Sequence, residues 1–458
     1  MQDYVKLRHP HKRMHQWQRK GGGSMIFTNV YIVSFSVKNY TCFAEKATID
    51  LTCDSAVNYM SKLMIPHGVQ DAQLKVSPVC ILYGANASGK TRILHALSAM
   101  AHTIVENPTE LLQQLASRPD LAFYFDKQKV NQPIEFSAVL HIDGELYEFG
   151  FELAKNQALY EISREWLKKR RDDGTVSLDA SEEIITYERV VGTNIAINPK
   201  LRDSLRERVE RESSFPTESK LLLNYLGDIN ITKSIIDWFS GSSFIHSDAS
   251  SAFLHNMADF VDGKWIVKRP LRKLLRLLDR CIRGLELDGK HEPWDTLPDF
   301  YTKHVLYDGT SEVCEVPVTI DWESKGTQHL LNSIAPAVLR ALQFGTLLFI
   351  DEYDNHFHPF VAVALINLFH FHNPNNAQLI FSTHDTFFMN KKILRAEEIC
   401  FVEKDERGAS RITSLYDYYN SDPESAYKVE NWGQNYLLDM YAKIPDMSKL
   451  SFWGDDDE

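Results

Sequence analysis

The chain has 458 residues, a length that corresponds to two or three compact domains. Its apolar fraction of 44% and charged fraction of 24% are ordinary for a globular protein. Its formal net charge of −12 excludes a protein that binds polyanions over its whole surface, but it does not exclude a local basic patch. The six cysteines include no Cys-x-x-Cys pair, which argues against a zinc site and for reduced thiols in a cytoplasmic protein. The sequence shows no secretory signal and no apolar run of about 18 residues, so we expect neither export nor a membrane span.

Residues 1–24 differ in composition from the rest of the chain. Residues 1–20 are rich in Lys, Arg, His and Gln without an apolar period, and Gly-Gly-Gly-Ser at 21–24 precedes a second methionine, Met25. This pattern is typical of an expression extension with a flexible linker, and the alternative is a natural basic arm that contacts nucleic acid. Alternating β-branched and aromatic residues then predict strands over Val30–Val37 and Ala47–Leu51.

A glycine-rich turn lies between an apolar run typical of a buried strand, Val79–Tyr83, and a predicted helix, Arg92–Ala101. It reads Gly-Ala-Asn-Ala-Ser-Gly-Lys-Thr over 84–91. Its glycines let consecutive backbone N–H groups point into one concavity, and the helix N-terminus adds further donors for an anion. Lys90 would reach the β- and γ-phosphates of a nucleotide, and the Thr91 hydroxyl would bind Mg²⁺. The order of strand, turn and helix favours a phosphate site over a chance glycine-rich turn. The residues that we expect to contact the nucleotide or its metal are Gly84, Asn86, Ser88, Gly89, Lys90 and Thr91.

The middle of the chain mixes a hairpin with helical patterns. Pro133–Ile142 and Glu145–Leu153 predict a β-hairpin across Asp143-Gly144. Ile162–Arg171 reads as a helix with a basic end, interpreted as a solvated helix terminus or as a contact with a phosphate backbone or a partner. Further helical patterns, the last with an apolar stripe and a basic face, cover Leu201–Arg211, Ser219–Leu226, Thr232–Phe239 and Leu271–Leu287.

An apolar strand in the last third ends in two carboxylates, Asp351 and Glu352. Strand signals return at Val305–Tyr307 and Val316–Ile320, and a predicted helix, Leu330–Phe344, leads into the acidic strand. Asp351 would hold Mg²⁺ through water, and Glu352 would polarise the water that attacks the γ-phosphate. The alternative is a core strand that ends by chance in an acidic turn, and the glycine-rich turn upstream makes that alternative the weaker one.

The elements beyond the acidic strand complete an alternation of strands and helices. A helix over Pro359–Phe371 precedes a strand over Ala377–Phe381, which ends in Ser-Thr-His-Asp with His384 in third place. Such alternation predicts a mainly parallel sheet whose ligand site lies at the carboxyl ends of its strands. The glycine-rich turn, the two carboxylates and His384 all follow strand ends, so we expect them to converge on one triphosphate.

The motif order resembles the ABC-type ATPase heads of the SMC and OLD kind, and more closely the RloA-like or AbiL-type ATPases of bacterial phage-defence loci. The resemblance covers most of 25–445, and its most specific stretches are 35–40, 83–91, 351–359, 375–385 and 401–405. It implies an α/β P-loop NTPase head with an antiparallel β-subdomain and a helical insertion. It also implies that Ser324 and Gly326 form the signature that meets a nucleotide held by a second protomer, and that His384 is the γ-phosphate switch. The signature departs from Leu-Ser-Gly-Gly-Gln, and no glutamine is identified as the Q-loop.

The same resemblance implies a division of the chain and a set of partners. Residues 25–155 and 301–458 would form the two halves of the head around a mostly helical insert, 156–300, that offers a partner or trigger surface. Two heads would sandwich two ATP molecules with Mg²⁺, in a homodimer or a larger assembly. The family usually works with a separately encoded effector, often a Toprim-type nuclease, and we expect no such nuclease domain in this chain.

Three functions are consistent with these motifs. The first is an ATPase that regulates a toxic effector in antiphage defence, triggered by a phage-derived signal. The second is a repair or recombination ATPase of the OLD or SMC kind that binds DNA through the basic residues at 168–171 and 272–283. The third is a scaffold whose ATP site is slow or silent, which the intact Lys90, Asp351 and Glu352 make the weakest of the three.

Overall fold

A computed structural model describes residues 30–53, 65–66, 75–105, 121–156, 159–171, 174–193, 195–214, 220–245, 276, 281–287, 300–353, 358–419 and 428–441. The strands are β1 Val30–Lys38, β2 Ala47–Asp50, β3 Thr52–Cys53, β4 Ile65–Pro66, β5 Lys75–Val76, β6 Val79–Tyr83, β7 Ile134–Ile142, β8 Glu145–Asn156, β9 Leu159–Arg170, β10 Val176–Ser177, β11 Tyr187–Val190, β12 Ala196–Ile197, β13 Ser243–Ile245, β14 Gly284–Leu287, β15 Phe300–Asp308, β16 Ser311–Thr319, β17 Leu347–Ile350, β18 Gln378–Ser382, β19 Ile399–Lys404 and β20 Ser410–Ser414.

The α-helices among these residues are α1 Lys90–Val105, α2 Asp203–Ser213, α3 Leu222–Tyr225, α4 Asn230–Gly241, α5 Lys325–His329, α6 Ala335–Phe344, α7 Pro359–Phe371, α8 Leu415–Tyr418 and α9 Trp432–Leu437. A π-helical turn, Leu330–Ile334, joins α5 to α6 and precedes Pro336. Proline lacks the N–H that an α-helix needs and crowds the carbonyl four residues back, so a wider turn at this point relieves the conflict. None of the described helices is long and apolar enough to cross a membrane.

A mainly parallel sheet carries the strands that end near the predicted site. Its order is β13-β17-β18-β6-β19-β20, and every neighbouring pair is parallel except β19 and β20. Side chains of β6 alternate between two hydrophobic cores: Cys80 and Leu82 face one, and Val79, Ile81 and Tyr83 face the other. Helix α1 contributes to the first core, and α6 and α7 contribute to the second. Because both faces are covered, these strands read as continuous apolar runs in the sequence.

An antiparallel sheet packs on the first of these cores. Its order is β12-β11-β9-β8-β7-β1-β2, with β10 beside β9. The predicted hairpin is confirmed, because β7 and β8 pair across Asp143 and Gly144, whose φ angles of 50° and 90° are those of a two-residue hairpin turn. The sequence therefore predicted the mainly parallel sheet and the antiparallel sheet of the α/β fold correctly, and the described residues add two three-stranded sheets, β14-β15-β16 and β3-β5-β4.

The helix predicted over Ile162–Arg171 is wrong, because this segment is strand β9. It pairs with β8 along its whole length, and its charged side chains find partners on neighbouring strands. Arg164 contacts Glu152 and Glu188, and Lys168 contacts Glu188 at 2.7 Å. These cross-strand pairs and the hairpin turn outweigh the weak helical period of the isolated segment.

The expectation of a mostly helical insert over 156–300 therefore needs correction. Its first part, β9 to β12, extends the antiparallel sheet, whereas α2, α3 and α4 confirm the three helical patterns between 201 and 239. The helix expected over Leu271–Leu287 is wrong at its end, where β14 pairs with β15 across the proposed boundary at 300. Most of 271–280, the extension 1–24 and the turn after Tyr353 lie outside the described residues.

Candidate nucleotide site

The phosphate loop, residues 84–89, joins the end of β6 to the start of α1. Gly84, Ala87 and Gly89 have φ angles of 148°, 61° and 120°, so the backbone curls through conformations that favour glycine. A Cβ on Gly84 would lie 2.3 Å from the Val402 carbonyl oxygen, and one on Gly89 would lie 2.9 Å from Cys42 Sγ. Both glycines are therefore required by the close packing of the loop against its neighbours as well as by its curvature.

Lys90 lies inside this loop at the start of α1. Its ammonium group donates to the carbonyl oxygens of Gly84, at 2.8 Å, and Ala85, at 3.1 Å. Burial lowers the pKa of Lys90 to about 8, while the nearby Asp351 and Glu352 act in the opposite direction. The ammonium group of Lys90 is thus held inside the loop, within electrostatic reach of both predicted carboxylates.

The carboxylate pair, Asp351 and Glu352, follows β17 directly. The Ser382 hydroxyl at the end of β18 donates to Asp351 Oδ1 at 2.5 Å and accepts from the Glu352 amide at 2.9 Å. The Asp351 side chain is buried, whereas Glu352 is exposed and has a φ of 54°. One serine therefore orients the buried carboxylate and fixes the turn that carries the exposed one.

Ser382 is a site residue that the sequence reasoning missed. The signal was present, since a hydroxyl stands at the last position of an apolar strand just before His384. Its partner could not be known without the strand order, because Ser382 reaches Asp351 only if β18 and β17 are neighbours.

His384 follows Ser382 in a loop, residues 383–385, that lies beside the phosphate loop. The Thr383 amide donates to the Leu82 carbonyl at 3.2 Å, and the Tyr83 hydroxyl donates to the Asp385 carbonyl at 2.9 Å. His384 itself is exposed. Strand β18 lies between β6 and β17, and neighbouring strands are about 5 Å apart, so the three strand ends lie within roughly 10 Å. The predicted convergence of the phosphate loop, the carboxylates and the histidine loop is consistent with this order.

The remaining loop residues differ in exposure. Asn86 is exposed, Thr91 is half-buried, and Ser88 is buried. The Ser88 carbonyl accepts from the Ser410 hydroxyl at 2.6 Å, whereas Ser88 Oγ has no hydrogen-bond partner among the described residues. A buried hydroxyl of this kind, beside curled amides and a lysine, fits an anionic ligand with acceptor oxygens.

The oxygen donors present fit Mg²⁺. The Thr91 hydroxyl and the Asp351 carboxylate are hard ligands of the type that Mg²⁺ takes one or two at a time, with water and phosphate oxygens completing its shell. Within the described part of the chain no group of three or more His, Cys, Asp or Glu side chains could hold a metal by itself. A metal at this position would therefore depend on the nucleotide.

Ser324 and Gly326 lie on a different element. Ser324 is the N-cap residue of α5, and its hydroxyl accepts from the Thr327 amide at 3.1 Å and pairs with the Thr327 hydroxyl at 2.9 Å. It is exposed, and the helical run that it begins continues to Phe344. These are local capping contacts, so the role of Ser324 and Gly326 at a partner's nucleotide stays a prediction.

The fold and the loop geometry define the head domain of an α/β P-loop NTPase. The chain belongs to the family described as "AAA domain, putative AbiEii toxin, Type IV TA system", which matches residues 79–390. The finer resemblance to RloA-like or AbiL-type proteins stays a prediction. None of the curated proteins compared matches the chain.

Several solved structures are similar over most of the chain. A structure described as the SmcHead bound to the C-winged helix domain of ScpA is 14% identical, with a TM-score of 0.43, and covers 84% of this chain and 98% of its own. The SMC head domain from Thermotoga maritima is 13% identical, with a TM-score of 0.35 and the same coverage. The Smc head domain bound to the C-terminal domain of ScpA derived from Pyrococcus furiosus is 13% identical, with a TM-score of 0.42, and covers 87% of this chain and all of its own.

Proposed function

We propose that the chain binds ATP with Mg²⁺ at the phosphate loop and hydrolyses it. The observation that carries this proposal is the common location of Lys90, the carboxylate pair and the loop of His384 at the ends of three adjacent strands. Lys90 and the loop amides bind the β- and γ-phosphates, Thr91 and Asp351 hold Mg²⁺, and Mg²⁺ neutralises phosphate charge. Glu352 polarises the attacking water, and His384 contacts the γ-phosphate.

We further propose that hydrolysis takes place between two copies of the chain. The exposed start of the long helical run at Ser324 is available to a second molecule, and Gly326 allows the backbone there to approach a phosphate closely. Such a site would be complete only in the dimer, so ATP binding would control association.

The cellular role that we propose is control of a separately encoded effector, such as a Toprim-type nuclease, in antiphage defence. The support is the family description, which names an AbiEii toxin and a type IV toxin–antitoxin system. The DNA-binding alternative gains no support from residues 168–171, because Lys168 and Lys169 already contact Glu188 and Glu145.

The test is steady-state ATP turnover by the full chain, alone and with the product of the neighbouring gene. Lys90→Ala should abolish ATP binding, and Glu352→Gln should retain binding but stop turnover. Lys200→Ala, which removes an exposed lysine paired with Asp179 on another part of the surface, is the control and should behave as wild type. Wild-type turnover in Glu352→Gln would show that the assignment of the catalytic base is wrong.

A further inference from the structure

The turn that carries Ser324 has side chains that point both outward and inward. Trp322 is 85% exposed, and Ser324 and Lys325 are exposed as well. Between them the side chain of Glu323 points inward, with only 6% of its surface exposed. A carboxylate that leaves water must find hydrogen-bond partners inside the protein. The partners of Glu323 therefore show what holds this turn in place.

The partners of Glu323 lie on strand β15, in the three-stranded sheet β14-β15-β16. His304 Nε2 lies 2.7 Å from Glu323 Oε1, and the Thr302 hydroxyl donates to the same oxygen. Because a carboxylate oxygen only accepts, His304 Nε2 carries the proton and donates it. Thr302 is fully buried and the His304 side chain is 22% exposed, so these bonds to a charged acceptor are shielded from water. They fix the residue before Ser324 to β15.

The backbone of the same turn is held by contacts of another kind. Gln328 Nε2 donates to the carbonyl oxygens of Asp321, at 3.0 Å, and Glu323, at 2.8 Å. The Glu323 amide donates to the Ile320 carbonyl at 2.9 Å, and the Ile320 side chain is buried in the second core. These bonds keep the turn folded and anchor its start. The Glu323 carboxylate anchors the part next to Ser324, and it does so through a different sheet.

The position of this anchor matters because Ser324 would act on a nucleotide outside its own chain. In the proposed dimer, Ser324 and Gly326 meet the γ-phosphate of ATP bound by the second copy. Groups at a reacting centre lose much of their effect when they are displaced by about 1 Å. Glu323 points away from the exposed side of the turn, so it supports Ser324 from behind.

We propose that His304 and Glu323 are positioning residues for ATP hydrolysis, which hold Ser324 and Gly326 against the nucleotide bound by a second copy of the chain. This proposal rests on the proposed function. It gives the three-stranded sheet a part in turnover, although that sheet is separate from the parallel strands that carry Lys90 and the carboxylate pair.

The first experiment compares three variants of the full chain. His304→Ala removes the donor to Glu323, and we expect kcat for ATP to fall about tenfold, as the loss of a hydrogen bond to a charged group predicts. The Kd for ATP, measured at protein concentrations too low for association, should change less than about twofold, because the phosphate loop of the same chain is unaltered. His304→Gln, whose amide nitrogen supplies an N–H in place of Nε2, should recover most of kcat.

The third variant, Glu312→Gln, is the control within the same sheet. It removes the charge that pairs with Arg283 at 2.8 Å and leaves the turn of Ser324 untouched. It should retain wild-type kcat.

Mixing two defective variants tests whether the defect acts between copies. Glu352→Gln keeps an intact Ser324 turn, and His304→Ala keeps an intact Glu352, so a mixed dimer has one site of wild-type composition. An equal mixture should reach about a quarter of the wild-type rate, because half of the dimers are mixed and one of their two sites is intact. Without complementation it would reach only about one twentieth, which is half of the residual rate of His304→Ala. Lys90→Ala mixed with Glu352→Gln is the control and should recover nothing, since both substitutions fall on the same part of the site.

Hydrogen exchange in the nucleotide-free protein reports on the turn without hydrolysis. The Thr327 amide donates to Ser324 Oγ at 3.1 Å, and it should exchange faster in His304→Ala than in wild type and in Glu312→Gln. Wild-type kcat in His304→Ala, an unchanged exchange rate of Thr327, or no recovery in the mixture with Glu352→Gln would each overturn the proposal and leave the ATPase assignment intact. Absence of turnover in wild type would instead remove the proposed function, and this proposal with it.

Discussion

Ser382 and Asp351 stand at the ends of two neighbouring parallel strands and are joined by a hydrogen bond of 2.5 Å from hydroxyl to carboxylate. The same hydroxyl oxygen accepts from the amide of Glu352 at 2.9 Å. The orientation of Asp351, the proposed metal ligand, and that of Glu352, the proposed catalytic base, are therefore coupled through one side chain. Bonds that orient a ligand in this way usually matter nearly as much as the ligand itself.

Ser382→Ala should lower ATP turnover by about tenfold at Mg²⁺ concentrations below saturation, because the loss of a hydrogen bond to a charged group costs about 1.5–3 kcal/mol. The deficit should shrink as Mg²⁺ is raised, since a poorly oriented Asp351 weakens metal affinity first. A titration of turnover against Mg²⁺ concentration measures this.

Ser77→Ala is the matched control for that substitution. Ser77 donates to the buried carboxylate of Glu398 at 2.6 Å, just before β6, at the opposite end of the sheet from the phosphate loop. It should lose similar stability and keep its Mg²⁺ dependence. Equal effects of the two substitutions on turnover would mean that Ser382 acts only through stability.

The motifs that lie contiguously in the sequence were predicted, and the contacts made by strand order were not. The chemistry of residues 84–91 and of the carboxylate pair can be recognised from a few consecutive positions, because a strand and a turn fix their local geometry. Ser382 acts through Asp351, a partner 31 positions away. Nothing in a single sequence states which strands are neighbours, so such partners could not be identified.

The misread strand β9 has a related cause. Its residues have a weak helical period and charged ends, and the decisive information lies in β8, which offers Glu152 opposite Arg164 and Glu148 opposite Lys168. A period judged within one segment cannot include stabilisation that comes from the strand beside it.

ATP affinity should fall as the pH rises above about 8. The pKa of Lys90 is lowered to about 8 in the nucleotide-free protein, so its ammonium group loses its proton above that pH. The phosphates of ATP are already ionised there, because the second ionisation of a phosphate ester lies near pH 6. The Kd for ATP should therefore increase by up to about tenfold per pH unit between roughly pH 8 and pH 10.

Equilibrium titrations with a fluorescent ATP analogue over this range measure that increase. Lys90→Arg, whose guanidinium stays charged, should show weaker but pH-independent affinity. For stability the sign is opposite: the folded pKa lies below that of an unfolded lysine near 10.4, so the penalty for burying the charge disappears as the pH rises between these values. A wild-type Kd that is constant over the range would contradict the assignment of Lys90 to the phosphates.

Gly84→Ala should abolish ATP binding and destabilise the protein more than Gly144→Ala does. Both glycines have positive φ, but a Cβ on Gly144 meets nothing within 4 Å, whereas one on Gly84 would lie 2.3 Å from the Val402 carbonyl oxygen. Gly144→Ala should cost about 1–2 kcal/mol for the left-handed conformation alone. Overpacking should add roughly 1–3 kcal/mol at Gly84.

Urea unfolding of both variants gives the two free energies. Gly144 lies in the hairpin turn between β7 and β8, so Gly144→Ala should also retain ATP binding. Equal destabilisation would mean that the phosphate loop can move away from β19, and the packing argument for Gly84 would then be wrong.

Glu352→Gly should be more stable than Glu352→Gln, although both should lack turnover. Glu352 has a φ of 54°, a left-handed conformation that costs a residue other than glycine about 1–3 kcal/mol. Glutamine keeps that strain, whereas glycine relieves it. Part of the resulting gain in stability is offset, because glycine loses more conformational entropy on folding, at a cost of about 0.5–1 kcal/mol. We therefore expect Glu352→Gly to exceed Glu352→Gln in free energy of unfolding by up to about 1–2 kcal/mol. Chemical unfolding of the two variants measures this difference.

The control is the same pair of substitutions at Glu403, which lies in strand β19 and has no positive φ. There the glycine variant should be less stable than the glutamine variant. A less stable Glu352→Gly would show that the left-handed conformation at position 352 carries no strain.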